Sequence, residues 1–233
     1  MYWYYDSTYL LVLIGVVLSL AASGLVNSTF SKYAKVRNMY GMTGAQAAER
    51  VLHSAGIYDV RIEHVSGKLT DHYDPRSKVL RLSDSVYGQS TVAAVGVAAH
   101  ECGHAIQHAK GYGPLALRST LVPIANFGSK IAWPLILIGL LFNSNSSYLF
   151  IQLGIIAFSA AVLFQLITLP VEFNASNRAI RMIADTGIMQ GEEVRGARKV
   201  LTAAALTYVA SAATAILQLL RIILLTGGRR RND

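Results

Sequence analysis

The chain has 233 residues, of which 53% are hydrophobic and 15% charged, and its formal net charge is +8. This composition is too apolar for most soluble domains and indicates a membrane protein. The positive charge does not indicate nucleic-acid binding, because the basic residues flank hydrophobic segments and no long basic run with interleaved aromatic residues lies between them. The single cysteine, Cys102, excludes an internal disulfide framework.

The first hydrophobic segment lies near the N-terminus, where residues 8–26 contain no charged side chain. As an α-helix this segment is about 28 Å long, which matches the hydrocarbon core of a bilayer. A secretory signal peptide begins with basic residues, whereas residues 1–9 carry only Asp6 as a charged side chain. We therefore predict a membrane helix over residues 1–27, with an aromatic cluster at the membrane–water interface: Tyr2, Trp3, Tyr4, Tyr5 and Tyr9.

Residues 28–99 have the composition of a soluble domain. Thr43 is placed to cap a helix over residues 41–56, and alternating runs at residues 58–65 and 78–82 indicate two strands. The stretch between the strands, residues 70–75, is rich in turn-forming residues. The second strand, KVLRL, either offers its edge to an extended peptide or is an ordinary half-buried strand, and both interpretations stay open.

A helix of small residues, STVAAVGVAA, then leads into the sequence HECGH at residues 100–104. Histidines four apart lie on one helix face with Cβ atoms roughly 5 to 6 Å apart, so His100 and His104 can bind one zinc ion. Glu101 lies about 100° around the helix, where its carboxylate can take a proton from a water molecule at the metal. Cys102 points to another face, and we expect it to pack rather than to bind the metal. The HExxH pattern therefore predicts a zinc peptidase.

The second hydrophobic block, residues 131–169, is interrupted by polar residues 143–147. This break predicts a helical hairpin over residues 119–170, whose first helix must begin near Pro123 to span a bilayer. Pro170 is placed to start or kink the helix that follows. The last hydrophobic block, residues 202–226, is rich in small residues and contains Gln218 and Arg221, so it either spans the membrane or packs against protein.

A catalytic zinc site needs a third protein ligand and keeps one position for water. His108 is the nearest candidate, but on a continuous helix it lies about 12 Å along the axis from His100. Glu172 is the better candidate, because a carboxylate at the membrane boundary is costly unless it is solvated or coordinated. The membrane hairpin would bring the helix of Glu172 back to that of His104.

The segments AAHECGHAIQH, TDHYDPRSKVLRLS and VEFNASNRA resemble those of bacterial neutral zinc membrane metallopeptidases of the YugP type. The resemblance covers residues 29–225. More distantly, HExxH followed by a membrane hairpin and a glutamate is similar to the heat-shock and CAAX-prenyl membrane peptidases. In those families an aspartate four residues after the glutamate orients a ligand histidine, whereas this chain has Ser176 there. The resemblance leaves Ser176, Asn177 and Asp185 as candidates for that role.

Together these features predict a mainly α integral membrane protein, in which a zincin-like HExxH domain with a small β element is assembled on about four membrane helices. The catalytic domain would comprise residues 28–118 and 171–201, with residues 202–233 as a fourth hydrophobic helix and basic tail. The predicted activity is zinc-dependent endopeptidase hydrolysis, with one zinc held by His100, His104 and Glu172 and Glu101 as general base. Spacing does not choose an oxyanion-stabilising residue among His72, Tyr73, Tyr112 and Arg178.

The predicted partners are a peptide, an unfolded or membrane protein as substrate, and the lipid bilayer, with membrane-protein quality control or peptide maturation as the role. Two other classes of function compete with the enzyme. A catalytically inactive scaffold or chaperone with a vestigial zinc site would use the small-residue faces of its membrane helices. A transporter would need ionisable residues deep within several spans, and residues 8–26 and 148–169 have none.

Orientation follows from the lysine and arginine residues near the membrane ends. Basic residues follow the first and third spans, whereas the N-terminus and the turn at residues 143–147 have none. We therefore expect a multi-pass protein of the bacterial plasma membrane with its catalytic segment in the cytoplasm. A complete fourth crossing would place Arg229, Arg230 and Arg231 outside, against the same rule, so the sequence leaves that crossing open.

Overall fold

The computed structural model describes residues 6–141 and 147–227, and the chain is mainly helical. The aromatic residues 2–5, the turn residues 143–146 and the basic tail at residues 229–231 lie outside the described residues. In chain order the elements are α1 (Tyr9–Tyr33), α2 (Gly44–Ser54), β1 (Arg61–Val65), β2 (His72–Asp74), β3 (Val79–Ser83), α3 (Val92–Ala109), α4 (Gly113–Leu141), α5 (Ser147–Asp185) and α6 (Glu192–Gly227).

Helices α1, α4, α5 and α6 are long and apolar enough to cross a membrane. The predicted helical class and the small β element are therefore confirmed, and the described residues contain four candidate membrane helices. The expected start of the second membrane helix near Pro123 is wrong, because α4 begins at Gly113 and contains Pro123. Pro170 likewise starts no helix but lies inside α5. Proline within a membrane helix removes one hydrogen bond, which neighbouring groups can compensate, so it does not have to end the helix.

The described chain divides into two compact units. The first consists of residues up to 21, residues 117–169 and residues from 208 onward. Small residues allow its helices to approach closely: a Cβ added to Gly128 of α4 would lie 2.6 Å from the carbonyl oxygen of Ala157 in α5. A Cβ added to Gly15 of α1 would lie 3.0 Å from Cγ2 of Thr214 in α6. Such small-residue contacts are typical of membrane helix packing.

The second unit, residues 22–116 and 170–207, contains the three-stranded sheet. The strand order is β1-β3-β2, with β3 parallel to β1 and antiparallel to β2. Strand β3, which contains most of KVLRL, is therefore central, and the interpretation that it offers a free edge to a peptide is wrong. Strand β2 lies within residues 70–75, where the sequence predicts a turn; its three residues form a strand by pairing with β3, which the local sequence does not encode.

Helix α2 packs against α3 in the core of this unit. As predicted, Thr43 caps α2: its side chain accepts a hydrogen bond from the Gln46 backbone, and the Gln46 side chain accepts one from the Thr43 backbone. This capping box fixes the helix start and turns Ala48, Val51 and Leu52 into the core. Cys102 on α3 is also fully buried there, where its Sγ lies 3.5 Å from the Ala48 carbonyl oxygen.

Candidate metal centre

Helix α3 carries the HExxH residues without interruption. It begins after Thr91, whose side chain accepts a hydrogen bond from the Ala94 backbone, and ends at Ala109, before Gly111 with its φ of 60°. Because the helix is continuous, His108 stays one turn beyond His104. The Nδ1 atom of His108 lies 2.9 Å from the Tyr73 hydroxyl, and His108 does not belong to the cluster of possible metal ligands found among the described residues.

Helix α5 lies directly against α3 at Gly103. A Cβ added to Gly103 would lie only 2.5 Å from the carbonyl oxygen of Ala175 and 3.0 Å from its carbonyl carbon, so only glycine fits there. This contact lies between the two histidines of α3 and beside Glu172 and Ser176 of α5. The glycine of HECGH therefore allows α5 to pack against the face of α3 that carries His100 and His104.

The three predicted ligands converge at this contact. The Nε2 atoms of His100 and His104 lie 3.2 Å and 3.6 Å from Oε2 of Glu172, and the three candidate ligand atoms all lie within 4.8 Å of one another. Two ligands about 2.1 Å from a tetrahedral zinc ion are about 3.4 Å apart, so these distances fit one zinc. Glu172 is only 2% exposed, and a buried carboxylate of this kind requires a counter-charge.

Each ligand histidine is oriented through its other ring nitrogen. Nδ1 of His100 lies 3.1 Å from the Ser176 hydroxyl, and Nδ1 of His104 lies 3.1 Å from Oε1 of Gln107. When Nδ1–H donates to these oxygens, the Nε2 lone pairs remain available for a metal. Ser176 was one of the three sequence candidates for this role, and the other two, Asn177 and Asp185, have exposed side chains.

Gln107 was missed by the sequence analysis. Its amide nitrogen donates to the Val171 carbonyl oxygen at 2.8 Å and to Oδ1 of Asn174 at 3.1 Å, which fixes Oε1 as the acceptor that faces His104. Gln107 is fully buried. Gln107 follows His104 by three residues and therefore lies on the same helix face. This spacing is the one feature of the sequence that indicates a contact between the two side chains.

The four candidates for oxyanion stabilisation make contacts with residues other than the three predicted ligands. Arg178 donates from Nε to Oδ1 of Asn174 at 2.7 Å, and its guanidinium group lies 5.8 Å from the Tyr112 ring centre. Nδ1 of His72 lies 2.9 Å from the Thr70 carbonyl oxygen. The Tyr73 hydroxyl forms a hydrogen bond with His108, which lies on the HExxH helix one turn beyond His104. An oxyanion role for any of them stays a prediction.

Negative charge surrounds the cluster. Burial alone lowers the pKa of His104, but the hydrogen bond that His104 donates to Glu172 and the charges of Glu101 and Glu172 outweigh burial, so the pKa of His104 is raised above its ordinary value. Glu101 is 8% exposed, and its negative charge contributes to raising the pKa of His104. The same negative field that favours a proton on His104 favours a divalent cation between the three ligands.

Comparison with known proteins agrees with the zinc site that the candidate ligands suggest. The family described as "Putative neutral zinc metallopeptidase" matches residues 8–227 of the chain. A protein of Bacillus subtilis (strain 168), "Putative membrane protease YugP", is 49% identical over 225 residues, which cover 93% of this chain and 99% of that protein. No solved structure matches the chain.

Proposed function

The chain belongs to the neutral zinc metallopeptidase family, as its motifs predicted, and on this premise we propose that it is a membrane-embedded zinc endopeptidase. The ligands would be His100, His104 and Glu172, with one zinc ion per chain. The observation that carries the proposal is their convergence within 4.8 Å where α5 meets α3. Two imidazoles and one carboxylate with a fourth position for water are the ligand set of thermolysin-type peptidases.

Bound zinc would polarise the scissile carbonyl group and make its water more acidic. Glu101 would take the proton of the attacking water and pass it to the leaving amine as the peptide bond breaks. The place of Glu101 directly after His100 on α3 supports this role, and its negative charge contributes to raising the pKa of His104. Ser176 and Gln107 would hold the two imidazoles in the orientation that binding requires.

The proposed substrates are proteins or peptides at the membrane. The catalytic domain, residues 28–118 and 171–201, alternates in sequence with the hydrophobic helices, which would place peptide hydrolysis beside the bilayer. Suitable substrates are unfolded or membrane proteins, in quality control, or a peptide that is matured at the membrane. The distribution of basic residues favours a bacterial plasma membrane with the metal centre on the cytoplasmic side.

The test combines metal content with cleavage. The full chain, purified in detergent, is compared with Glu101→Gln and Glu172→Ala for bound zinc and for hydrolysis of fluorescently labelled casein. We expect about one zinc per chain in the wild type and in Glu101→Gln, loss of most zinc in Glu172→Ala, and activity reduced at least roughly a hundredfold in both variants. Glu49→Gln, an exposed glutamate on α2, is the control and should leave both properties unchanged.

The alternative is an inactive scaffold or chaperone with a vestigial zinc site. It predicts zinc binding without any cleavage, and a cellular function that survives Glu101→Gln. Wild-type protein that holds zinc but hydrolyses no peptide bond in an unfolded substrate would favour the scaffold. Casein cleavage that Glu101→Gln leaves intact would contradict the general-base role.

A further inference from the structure

A groove between α1 and α6 combines positive charge with apolar surface. Its cavity volume is about 380 Å³, and all nine lining residues belong to the unit that also holds the metal centre. Lys32 from α1 and Arg198 and Lys199 from α6 lie at one end, and we call this cavity the basic groove. None of the nine lining residues is acidic.

The lining residues are ordered by polarity along both helices. On α1, Lys32 is followed toward the N-terminus by Thr29 and then Leu25, at helical spacings of three and four residues. On α6, the order from Lys199 is Thr202 and then Leu206, again at spacings of three and four. The groove therefore changes from cationic to hydroxyl-bearing to apolar over about two helical turns, or roughly 11 Å.

Close packing against α3 preforms the wall of the basic groove. Gly196 of α6 lets the Tyr33 ring lie against it, because an added Cβ would be 2.7 Å from Cε1 of Tyr33. Phe30 of α1 and Val200 of α6 are buried together with Ala93 of α3. The two helices are thus fixed to one another beneath the groove.

We propose that the basic groove binds one anionic phospholipid, with the phosphate at Lys32, Arg198 and Lys199 and an acyl chain along Leu25 and Leu206. The cations lie at the ends of two hydrophobic helices, where lipid headgroups are found, and basic pockets between membrane helices recognise such headgroups. A soluble phosphate would use the cations but leave the apolar end without a partner. A zwitterionic lipid would fill the apolar end but bring no net negative charge.

The test is native mass spectrometry of the full chain in detergent. Palmitoyl-oleoyl phosphatidylglycerol and the corresponding phosphatidylcholine are titrated separately, and the bound lipids are counted. We expect one phosphatidylglycerol to remain bound at concentrations that leave no phosphatidylcholine adduct. A variant with Lys32→Gln, Arg198→Gln and Lys199→Gln should bind phosphatidylglycerol more weakly, by roughly fivefold for each cation removed.

A matched variant controls for general surface charge. Lys35→Gln, Lys68→Gln and Lys110→Gln remove three exposed lysines that do not line the basic groove, and this triple variant should bind phosphatidylglycerol like the wild type. The apolar end is tested with Leu206→Asn, which should weaken binding of the long-chain lipid but not of dihexanoyl phosphatidylglycerol. If the groove triple variant does not fold, the three single variants take its place, each with roughly a fivefold loss.

Three outcomes would overturn the proposal. Equal binding of the two long-chain lipids by the wild type would show that the headgroup charge is not recognised. An equal loss in the groove and control triple variants would show attraction to the whole basic surface. Displacement of phosphatidylglycerol by a stoichiometric amount of inorganic phosphate would identify a soluble-anion site.

Discussion

Gln107 has a larger role at the metal centre than its place outside HECGH suggests. Its amide oxygen holds Nδ1 of His104, while its amide nitrogen is fixed by Val171 and Asn174 of α5. One side chain therefore helps to orient the imidazole of a proposed ligand and links α3 to the helix of Glu172. Contacts of this kind set metal affinity because they fix the ring before the metal binds.

We predict that Gln107→Leu weakens zinc binding roughly 10- to 100-fold, because it removes the acceptor for His104 and the side-chain hydrogen bonds that link α3 to Val171 and Asn174 of α5. The zinc dissociation constant is measured by competition with a chromophoric chelator. Gln89→Leu, at an exposed glutamine, is the control. A dissociation constant within twofold of the wild type would mean that His104 is oriented by other groups.

Cys102 illustrates the opposite case, a potential ligand held away from the metal. It is fully buried against α2, and burial raises the pKa of its thiol well above the ordinary value. Because the thiolate is the reactive form, we predict that iodoacetamide modifies the folded protein at least roughly a hundredfold more slowly than the denatured protein. Mass spectrometry of timed samples measures both rates, and similar rates would place the thiol at the surface.

At the level of elements, the metal centre depends on how closely two helices approach. Gly103→Ala would place a Cβ 2.5 Å from the Ala175 carbonyl oxygen, which must force α3 and α5 apart. We predict a loss of about 1 to 3 kcal/mol in stability and a lower zinc affinity, because Glu172 moves with α5. Thermal unfolding and chelator competition measure the two effects.

Gly113→Ala is the matched control for this prediction. Gly113 begins α4, and an added Cβ there would meet no atom within 4 Å. This substitution should change neither the unfolding temperature nor zinc affinity. If Gly103→Ala behaved like the control, the α3–α5 contact would not determine the geometry of the site.

Helix limits were predictable where they are encoded locally. Thr43 caps α2, and the limits of α3 follow from Thr91 and Gly111. The strand β2 was not predictable, because its three residues form a strand only by pairing with β3, and this pairing makes β3 central. Of the two roles predicted for Pro170, to start or to kink a helix, only the start is excluded by its place inside α5: proline weakens a helix locally, but the surrounding structure determines whether the helix ends.

The candidate site also has residues that the local sequence predicts and residues whose contacts depend on the folded structure. His100, Glu101 and His104 form a local pattern, and Glu172 could be proposed from the cost of a carboxylate at a membrane boundary. Gln107 could not be assigned its contacts, because its partners Val171 and Asn174 are remote in sequence and meet it only after α5 has packed on α3.

At the level of the whole molecule, the contacts of α6 bear on whether this helix crosses the membrane, a question that the sequence does not decide. Thr214 of α6 lies at Gly15 of α1, and Arg221, farther along α6, lies at the start of α1. The Arg221 guanidinium is 4.5 Å from the Tyr9 ring centre and its Nη2 atom is 3.5 Å from Asp6 Oδ2. In this unit α6 therefore runs antiparallel to α1 and reaches its N-terminal end. Pairing with Asp6 and Tyr9 also offsets the cost of an arginine in a hydrophobic helix.

We therefore predict that α6 crosses the membrane completely, so that its end lies on the same side of the membrane as the start of α1, even though the basic residues after α6 oppose the usual charge bias. Single cysteines at Ser7, Asn232 and Lys110, introduced separately, are labelled in whole cells with a membrane-impermeant maleimide. Buried Cys102 serves as the unlabelled background.

Ser7→Cys and Asn232→Cys should react in intact cells, and Lys110→Cys only after permeabilisation. Labelling of Ser7→Cys without Asn232→Cys would mean that α6 does not cross, since the contacts between Arg221 and Asp6 require both helix ends at one membrane surface.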